Sequence, residues 1–547
     1  MALHTYDEAV AEVIERTLYL APADQGGAQS DANDRNGRIR RLGEHLMQPL
    51  PNDGFWSWLG PLIVTIIGGA LRFYHLAIPK TITLDETYYV KGGLSLWKYG
   101  YERDAIDKAD QLLSQGKTDI FASTADYVVH PMFGKWVIGA GIHIFGPNAF
   151  GWRFMVALLG TIAVFVTARI GRRLFRSTLL GCIAGLLLAT DGTAIVMSRI
   201  GMLDGILAAL LIFAFGCLLL DRDRSRALLA KRMKFIELDP AGNWSGPGPH
   251  LGWRGWRLAA GVFLGLALGT KWSALYFIAF FVIVSLLWDA GARRAAGIAT
   301  PVRSTMKRDV VPTLLSLVAL SVVIYLATWT GWLVTGGGWD RQWGAQNPSS
   351  IPFVPDALRS LWHYHAAMYK FHSTLTTSHP YQSNAWGWLI QARPTAIYYS
   401  SSVSCAAAKC TSAITSLGNP MLWWAGVLAL PYLAFEWLGR RDWRAGVILG
   451  CVAAGWLPWV ILYNSRTVFA FYTVALSGFI ALAVTYCLGR ILGPASASIR
   501  RRMIGAGVVG AYVAVVLVCA SFFLPIWNGD PISYAQWAQR MWFQSWI

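Results

Sequence analysis

The chain has 547 residues, is 55% hydrophobic, carries only 14% charged residues and has a formal net charge of +17. A soluble domain carries about 25% charged residues, and apolar runs of about 20 residues, enough to cross a bilayer core as a helix, recur here from 59 to 524. These features exclude a soluble enzyme, and the lack of ten-residue alternation excludes an outer-membrane barrel. The positive charge fits Lys and Arg held in cytoplasmic loops and calls for no nucleic-acid partner.

Residues 1–55 read as a cytoplasmic tail, because they lack the short apolar core and cleavage site of a signal peptide. The stretch 25–37 reads as disordered, and Arg35, Arg38, Arg40 and Arg41 form a basic cluster suited to anionic headgroups. Segment 59–78 then crosses outward into a first outer loop, 79–149. Within it, 132–145 spans only about 14 residues, so it reads as an interfacial or re-entrant helix. That reading also keeps Arg172, Arg173 and Arg176 inside.

Spans follow at 150–170, 179–196, 203–220, 258–269, 272–288 and 311–332. A polar, aromatic outer loop, 332–419, leads to spans 421–437, 447–463, 468–488 and 504–524, and 525–547 is an outer tail. The expected fold is an all-α polytopic membrane protein with about eleven spans and extracytoplasmic juxtamembrane helices. The spans within 56–331 form an N-terminal transmembrane module, and 420–524 forms a C-terminal four-helix region. Every arginine cluster then falls on the cytoplasmic side, with the N-terminus inside and the C-terminus outside. No internal repeat is visible, which argues against an inverted-repeat transporter or flippase.

The charges left on the outer face are few: Asp85, Glu86, His130, Lys135, Arg153, Asp191, Arg199, Asp204, Lys271 and Arg466. Ionisable groups at span ends are functional candidates, with snorkelling cations as the bland alternative. No Lys or Arg lies between Lys80 and Lys91, so the Asp85-Glu86 pair has no partner close in sequence. Acids can serve as a base, and cations on the same face can hold a leaving phosphate. A site on that face has no access to cytosolic nucleotide-sugars and needs a donor delivered by the membrane.

Cys182, Cys217, Cys451, Cys487 and Cys519 lie in apolar runs and read as core. Cys405 and Cys410 lie in a polar outer stretch. A disulfide is the favoured reading there, with zinc the weaker one. His363, His365, His372 and His379 invite a metal. On a helix, steps of seven residues separate three of them by about 10 Å each, too far for one ion. Sugar-binding hydrogen bonds or aromatic packing fit them better; no convincing ligand cluster is visible, and a divalent cation stays an alternative without support in the residues.

Leu84-Asp85-Glu86-Thr87-Tyr88-Tyr89, then His130-Pro131-Met132-Phe133-Gly134-Lys135, then Asn148-Ala149-Phe150-Gly151-Trp152-Arg153 resemble, in this order, the protein O-mannosyltransferases. Further matches are Ser198-Arg199-Ile200-Gly201-Met202-Leu203-Asp204, Thr270-Lys271-Trp272, Trp362-His363-Tyr364-His365, Ser378-His379-Pro380-Tyr381 and Arg466-Thr467-Val468-Phe469. The resemblance runs from about residue 55 to 525. It implies the GT-C membrane fold and transfer, with inversion, from polyprenyl phosphate mannose to Ser or Thr of a secreted polypeptide at the plasma membrane. The secretion translocon is a candidate partner.

By the same resemblance Asp85 is the general base and Glu86 orients the acceptor or sugar. His130, Lys135, Arg153 and Arg466 hold the donor phosphate, with Arg199, Asp204, Lys271, His363, His365 and His379 as further site candidates. Two departures stand out. Met132 replaces the second proline of the family motif, and the β-trefoil insert of eukaryotic members is absent. The competing expectation is a GT-C transferase of another lipid-linked sugar to a glycolipid or wall polymer.

Overall fold

A computed structural model describes residues 46–47, 49–233, 246–348, 353–463, 465–494 and 496–547. The expected tail up to 45, with its basic cluster, lies outside the described residues. Among these, nine helices are long and apolar enough to cross a membrane: Trp56–Phe73, Ala149–Phe175, Leu203–Met233, Ala274–Ala295, Val310–Ala327, Pro420–Arg440, Trp443–Leu462, Ala470–Leu492 and Ile499–Asn528. A bent pair, Thr178–Ala189 and Gly192–Arg199, makes a tenth. The remaining expected span, 258–269, is the 14-residue helix Gly255–Leu268, shorter than a bilayer core requires. The short helix expected at 132–145 forms as Phe133–Phe145.

The sequence reads 179–196 as one continuous span, but the structure bends it by 60°. The cause is Asp191. Its backbone is extended, and its carboxylate accepts from Ala194 N at 3.2 Å, capping a new helix. It also accepts from Asn419 N (3.0 Å) and Trp423 Nε1 (2.9 Å). A fully buried carboxylate needs such donors, and an uninterrupted helix has none to offer.

The first span ends at Phe73, five residues before the expected 78. Arg199 donates to the carbonyls of Leu71 (3.2 Å), Arg72 (3.0 Å), Tyr74 and His75 (3.2 Å). These include orphan acceptors of a helix C-terminus, so Arg199 is a cap.

The structure packs as two compact units. One contains the described part of Met1–Pro49 with Leu220–Gly255 and Ser285–Thr313. Leu46, Leu229, Met233, Leu251 and Ile298 form an apolar cluster there. Arg254 binds Asp221 (2.9 Å) and Asp289 (2.7 Å), and Arg293 binds Asp309 (2.7 and 3.0 Å).

The other unit is Leu50–Leu219, Trp256–Val284 and Leu314–Ile547. Small residues let its helices approach closely, as membrane helices require. A methyl group on Gly181 would stand 2.5 Å from the Ala168 carbonyl oxygen, and one on Gly261 would stand 1.8 Å from that of Ser316.

Among the described residues, two small sheets accompany the helices of the second unit. β1 (Arg103–Ala105) pairs antiparallel with β2 (Phe121–Ala125). β3 (Thr395–Ser400), β4 (Cys410–Ser416) and β5 (Ile532–Ser533) form a second sheet in that order. Cys405 and Cys410 are joined as a disulfide at the β3–β4 turn. The tail is stitched to the outer segment: Trp546 Nε1 donates to Gln391 O (2.8 Å) and Ser545 Oγ to Ala392 O (2.6 Å). Trp537 packs on Tyr399 and Tyr534 in this region.

Candidate active site

The helix Glu86–Tyr99 begins at the acidic pair, with Asp85 as its N-cap residue. One residue of register gives the two acids opposite fates. Glu86 is fully buried. It accepts Arg153 Nε (2.8 Å) and Nη2 (2.9 Å), Gly201 N (2.7 Å), and Thr83 N (3.0 Å) and Oγ1 (2.9 Å). Burial pushes its pKa up, but the Arg153 guanidinium and these donors reverse that and hold the carboxyl below its usual range.

Arg153 is equally saturated. Its remaining donors meet the carbonyls of Leu76 (3.3 Å), Pro79 (2.8 Å) and Thr81 (3.2 Å). Expected at a phosphate, it is instead a buried brace that ties the outer loop to the helix Ala149–Phe175. Glu86, expected to orient acceptor or sugar, has no acceptor oxygen to spare. Lys135 departs from its expected place in the same way. It is fully buried, paired with Glu102 at 2.6 Å, and donates to His130 O at 2.7 Å.

Asp85 is half-buried and accepts no side-chain hydrogen bond among the described residues. Burial pushes its carboxyl above the usual aspartate range. Asp204 adds to this, and Lys271 and His379 pull it back. Lys271, at the tip between Gly255–Leu268 and Ala274–Ala295, forms a bidentate pair with Asp204 at 2.9 Å to each oxygen. Its Nζ lies 4.5 Å over the Tyr472 ring. The sequence candidates Asp85, Asp204 and Lys271 are thus brought together from three separate elements.

A second group adjoins them. His130 stands 6.0 Å from Tyr89 and 5.0 Å from His372, ring centre to ring centre. Burial and the charges of Lys271, Lys135 and Arg466 drive its pKa well below the usual value. His372 Nε2–H donates to Val129 O (2.7 Å), so its Nδ1 accepts from Arg466 Nη2 (3.1 Å). Burial pushes its pKa down to about 4, which keeps it neutral for that role. The Arg466 Nε is buried and has no hydrogen-bond partner among the described residues. A guanidinium held this way has donors for an anionic group.

The other histidines divide. His365, on the helix Asp356–Thr374, bonds Leu361 O and the Tyr325 hydroxyl and stacks 5.7 Å from Trp272. His363 stacks on Trp343 at 4.3 Å and meets Asp340 at 3.1 Å, away from the cluster. His379 lies beyond the end of that helix, 5.1 Å from Phe469. Among the described residues no three His, Cys, Asp or Glu groups gather to hold a metal. Trp388 is buried against Trp459 and Tyr472, whereas Trp386 is exposed. Of the site neighbours Tyr89, Glu102, His372 and Tyr472, sequence reasoning gave no role to Tyr89, Glu102 or Tyr472, and read His372 only as one of four histidines suited to sugar binding or aromatic packing. The run Phe469–Tyr472 beside Arg466 offered a signal for Tyr472; nothing local to Glu102 did.

A family model described as dolichyl-phosphate-mannose-protein mannosyltransferase matches residues 62–237 and 245–331. Another, described as the C-terminal four TMM region of protein-O-mannosyltransferase, matches 357–546. A Mycobacterium tuberculosis relative named polyprenol-phosphate-mannose–protein mannosyltransferase is 40% identical over 512 residues, covering 91% of this chain and 93% of its own. Relatives of the same name from Mycolicibacterium smegmatis and Corynebacterium glutamicum are 36% and 34% identical, covering 91% and 77% of this chain and 94% and 81% of their own. Among solved structures, the S. cerevisiae protein O-mannosyltransferase Pmt1-Pmt2 complex bound to the sugar donor aligns with a TM-score of 0.66 at 12% identity, over 93% of this chain and 94% of the other. That last likeness is one of fold.

Proposed function

Because the chain belongs to the protein O-mannosyltransferases, multi-pass membrane glycosyltransferases, we propose that it moves mannose from polyprenyl phosphate mannose to a Ser or Thr hydroxyl of a polypeptide. The reaction takes place on the outer face of the plasma membrane, on chains delivered by the secretion translocon. The arginine clusters support this orientation, since they collect on the opposite side.

The observation that carries the reading is the contrast within the acidic pair. Glu86 is closed by five hydrogen bonds. The Asp85 carboxylate has none among the described residues, and it lies beside the Lys271–Asp204 pair. Asp85 takes the acceptor proton as its oxygen attacks the anomeric carbon, and the phosphate leaves from the opposite side with inversion. The leaving group departs already ionised, so it needs cations in place of a general acid.

Arg466 is the cation assigned to the phosphate, oriented by neutral His372, with His130 beside it. Lys271 holds Asp204 and tempers the Asp85 carboxyl. Glu86, Arg153 and Lys135 form the frame that presents these groups. Charge neutralisation is assigned to side chains, and no cofactor enters the scheme.

The test uses membranes carrying the protein, polyprenyl phosphate mannose and a Ser/Thr-rich peptide. Mannose is expected on the peptide, and Asp85→Asn is expected to lower transfer by about 10²-fold or more. Transfer to a lipid acceptor alone would replace this reading with the glycolipid one.

A further inference from the structure

The helix Asp356–Thr374 leads into an extended segment that borders the site and is engaged on one side. Thr467 N donates to Leu375 O (3.3 Å), and Thr467 Oγ1 donates to Thr377 O (2.5 Å). Successive residues of an extended chain turn their backbone N–H and C=O groups to opposite sides. Engagement at Leu375 and Thr377 therefore turns the groups of Thr376 and Ser378 away from Thr467. Among the described residues no backbone hydrogen bond engages Thr376 or Ser378, and both are exposed.

The segment is framed by site residues. His372, which bonds Arg466, precedes it. His379, 5.1 Å from Phe469 of the strip that carries Arg466, follows it. Downstream, Ser383 N donates to Val468 O (2.8 Å), which fixes the far end against the same strip that carries Arg466.

We propose that the open edge at Thr376 and Ser378 is the docking rail for the acceptor, a polypeptide that lies extended along it and presents its hydroxyl to Asp85. The inference rests on the transfer reading above and deepens it. An unpaired extended edge binds another chain through its main-chain groups and makes few demands on side chains. That suits an enzyme whose acceptor atom is a Ser or Thr hydroxyl. The edge offers hydroxyls and bare amides, with no Lys, Arg or large apolar side chain from 376 to 378. A lipid surface would call for those instead.

The experiment measures peptide and donor kinetics in reconstituted membranes. Thr376→Pro and Ser378→Pro each remove one outward N–H, and their fixed φ suits an extended chain. Each is expected to raise the KM for the peptide about three- to tenfold, the range for one lost hydrogen bond. The KM for polyprenyl phosphate mannose stays unchanged. As a second probe that leaves the enzyme intact, a peptide N-methylated at the amides flanking its acceptor serine is expected to show the same loss with the wild-type protein. An unchanged peptide KM in active variants, or full activity with the N-methylated peptide, overturns the docking rail alone. A donor KM that rises in parallel also overturns it, because the segment then serves the donor. A wild-type protein that transfers to no peptide overturns the transfer reading and this inference together.

Discussion

The Glu86–Arg153 clamp and the Asp85 cluster sit one residue apart in the chain and show opposite economies of charge. In the clamp every donor and acceptor is matched, and both side chains are fully buried. In the cluster the half-buried Asp85 carboxylate and the buried Arg466 Nε have no hydrogen-bond partner among the described residues. Unmatched buried polar groups cost stability, and a fold that retains them does so where another molecule completes them. Matched charges hold the frame, and unmatched ones mark the chemistry.

The largest test sets the two acids against each other. Asp85→Asn is expected to lower peptide mannosylation about 10²- to 10⁴-fold, the usual contribution of a general base, with thermal unfolding in detergent unchanged. Glu86→Ala is expected to act on folding, since removing one partner of a buried pair costs about 3–5 kcal/mol. Normal unfolding in the Glu86 variant, or normal turnover in the Asp85 variant, would break the comparison. Next in size is Arg466→Met. Losing a charged hydrogen bond of about 1.5–3 kcal/mol raises the donor KM about ten- to hundredfold and leaves peptide KM alone.

A smaller effect is read from pH. The base must be ionised, and burial raises the Asp85 pKa, so activity falls as pH drops through that raised value. The acid limb of kcat/KM is therefore expected above the ordinary aspartate value of about 4. A limb at or below it would place Asp85 outside the base role. The smallest effect belongs to Cys405→Ser with Cys410→Ser. Their ring is short, so its loss costs about 2 kcal/mol on loop-closure grounds. Faster proteolysis of the β3–β4 turn is expected, with transfer rates unchanged.

The membrane architecture was legible because span length and arginine placement are local properties of a sequence. The break at Asp191 was not, since the donors that satisfy its carboxylate include Asn419 and Trp423, far along the chain. The site divides in the same way. Family motifs pointed to Asp85, Lys271 and Arg466. No motif tells that Glu86 meets Arg153, 67 residues on, or that Lys135 meets Glu102. Motif membership identifies a residue as needed, and only the fold separates need for chemistry from need for structure. β3, despite its run of Ile397, Tyr398 and Tyr399, is short and lies in a loop rich in polar residues, and its pairing with β4 is what makes it a strand.

The clamp also has an evolutionary consequence. Glu86 takes a hydrogen bond from the Gly201 amide at 2.7 Å, and a methyl group on Gly201 would press within 3.1 Å of Val90. Positions 86, 153 and 201 therefore form one unit of inheritance. Among descendants of this chain, a change at any one is expected only alongside a compensating change at another. Position 85 has no such companions, and selection acts on it through turnover alone.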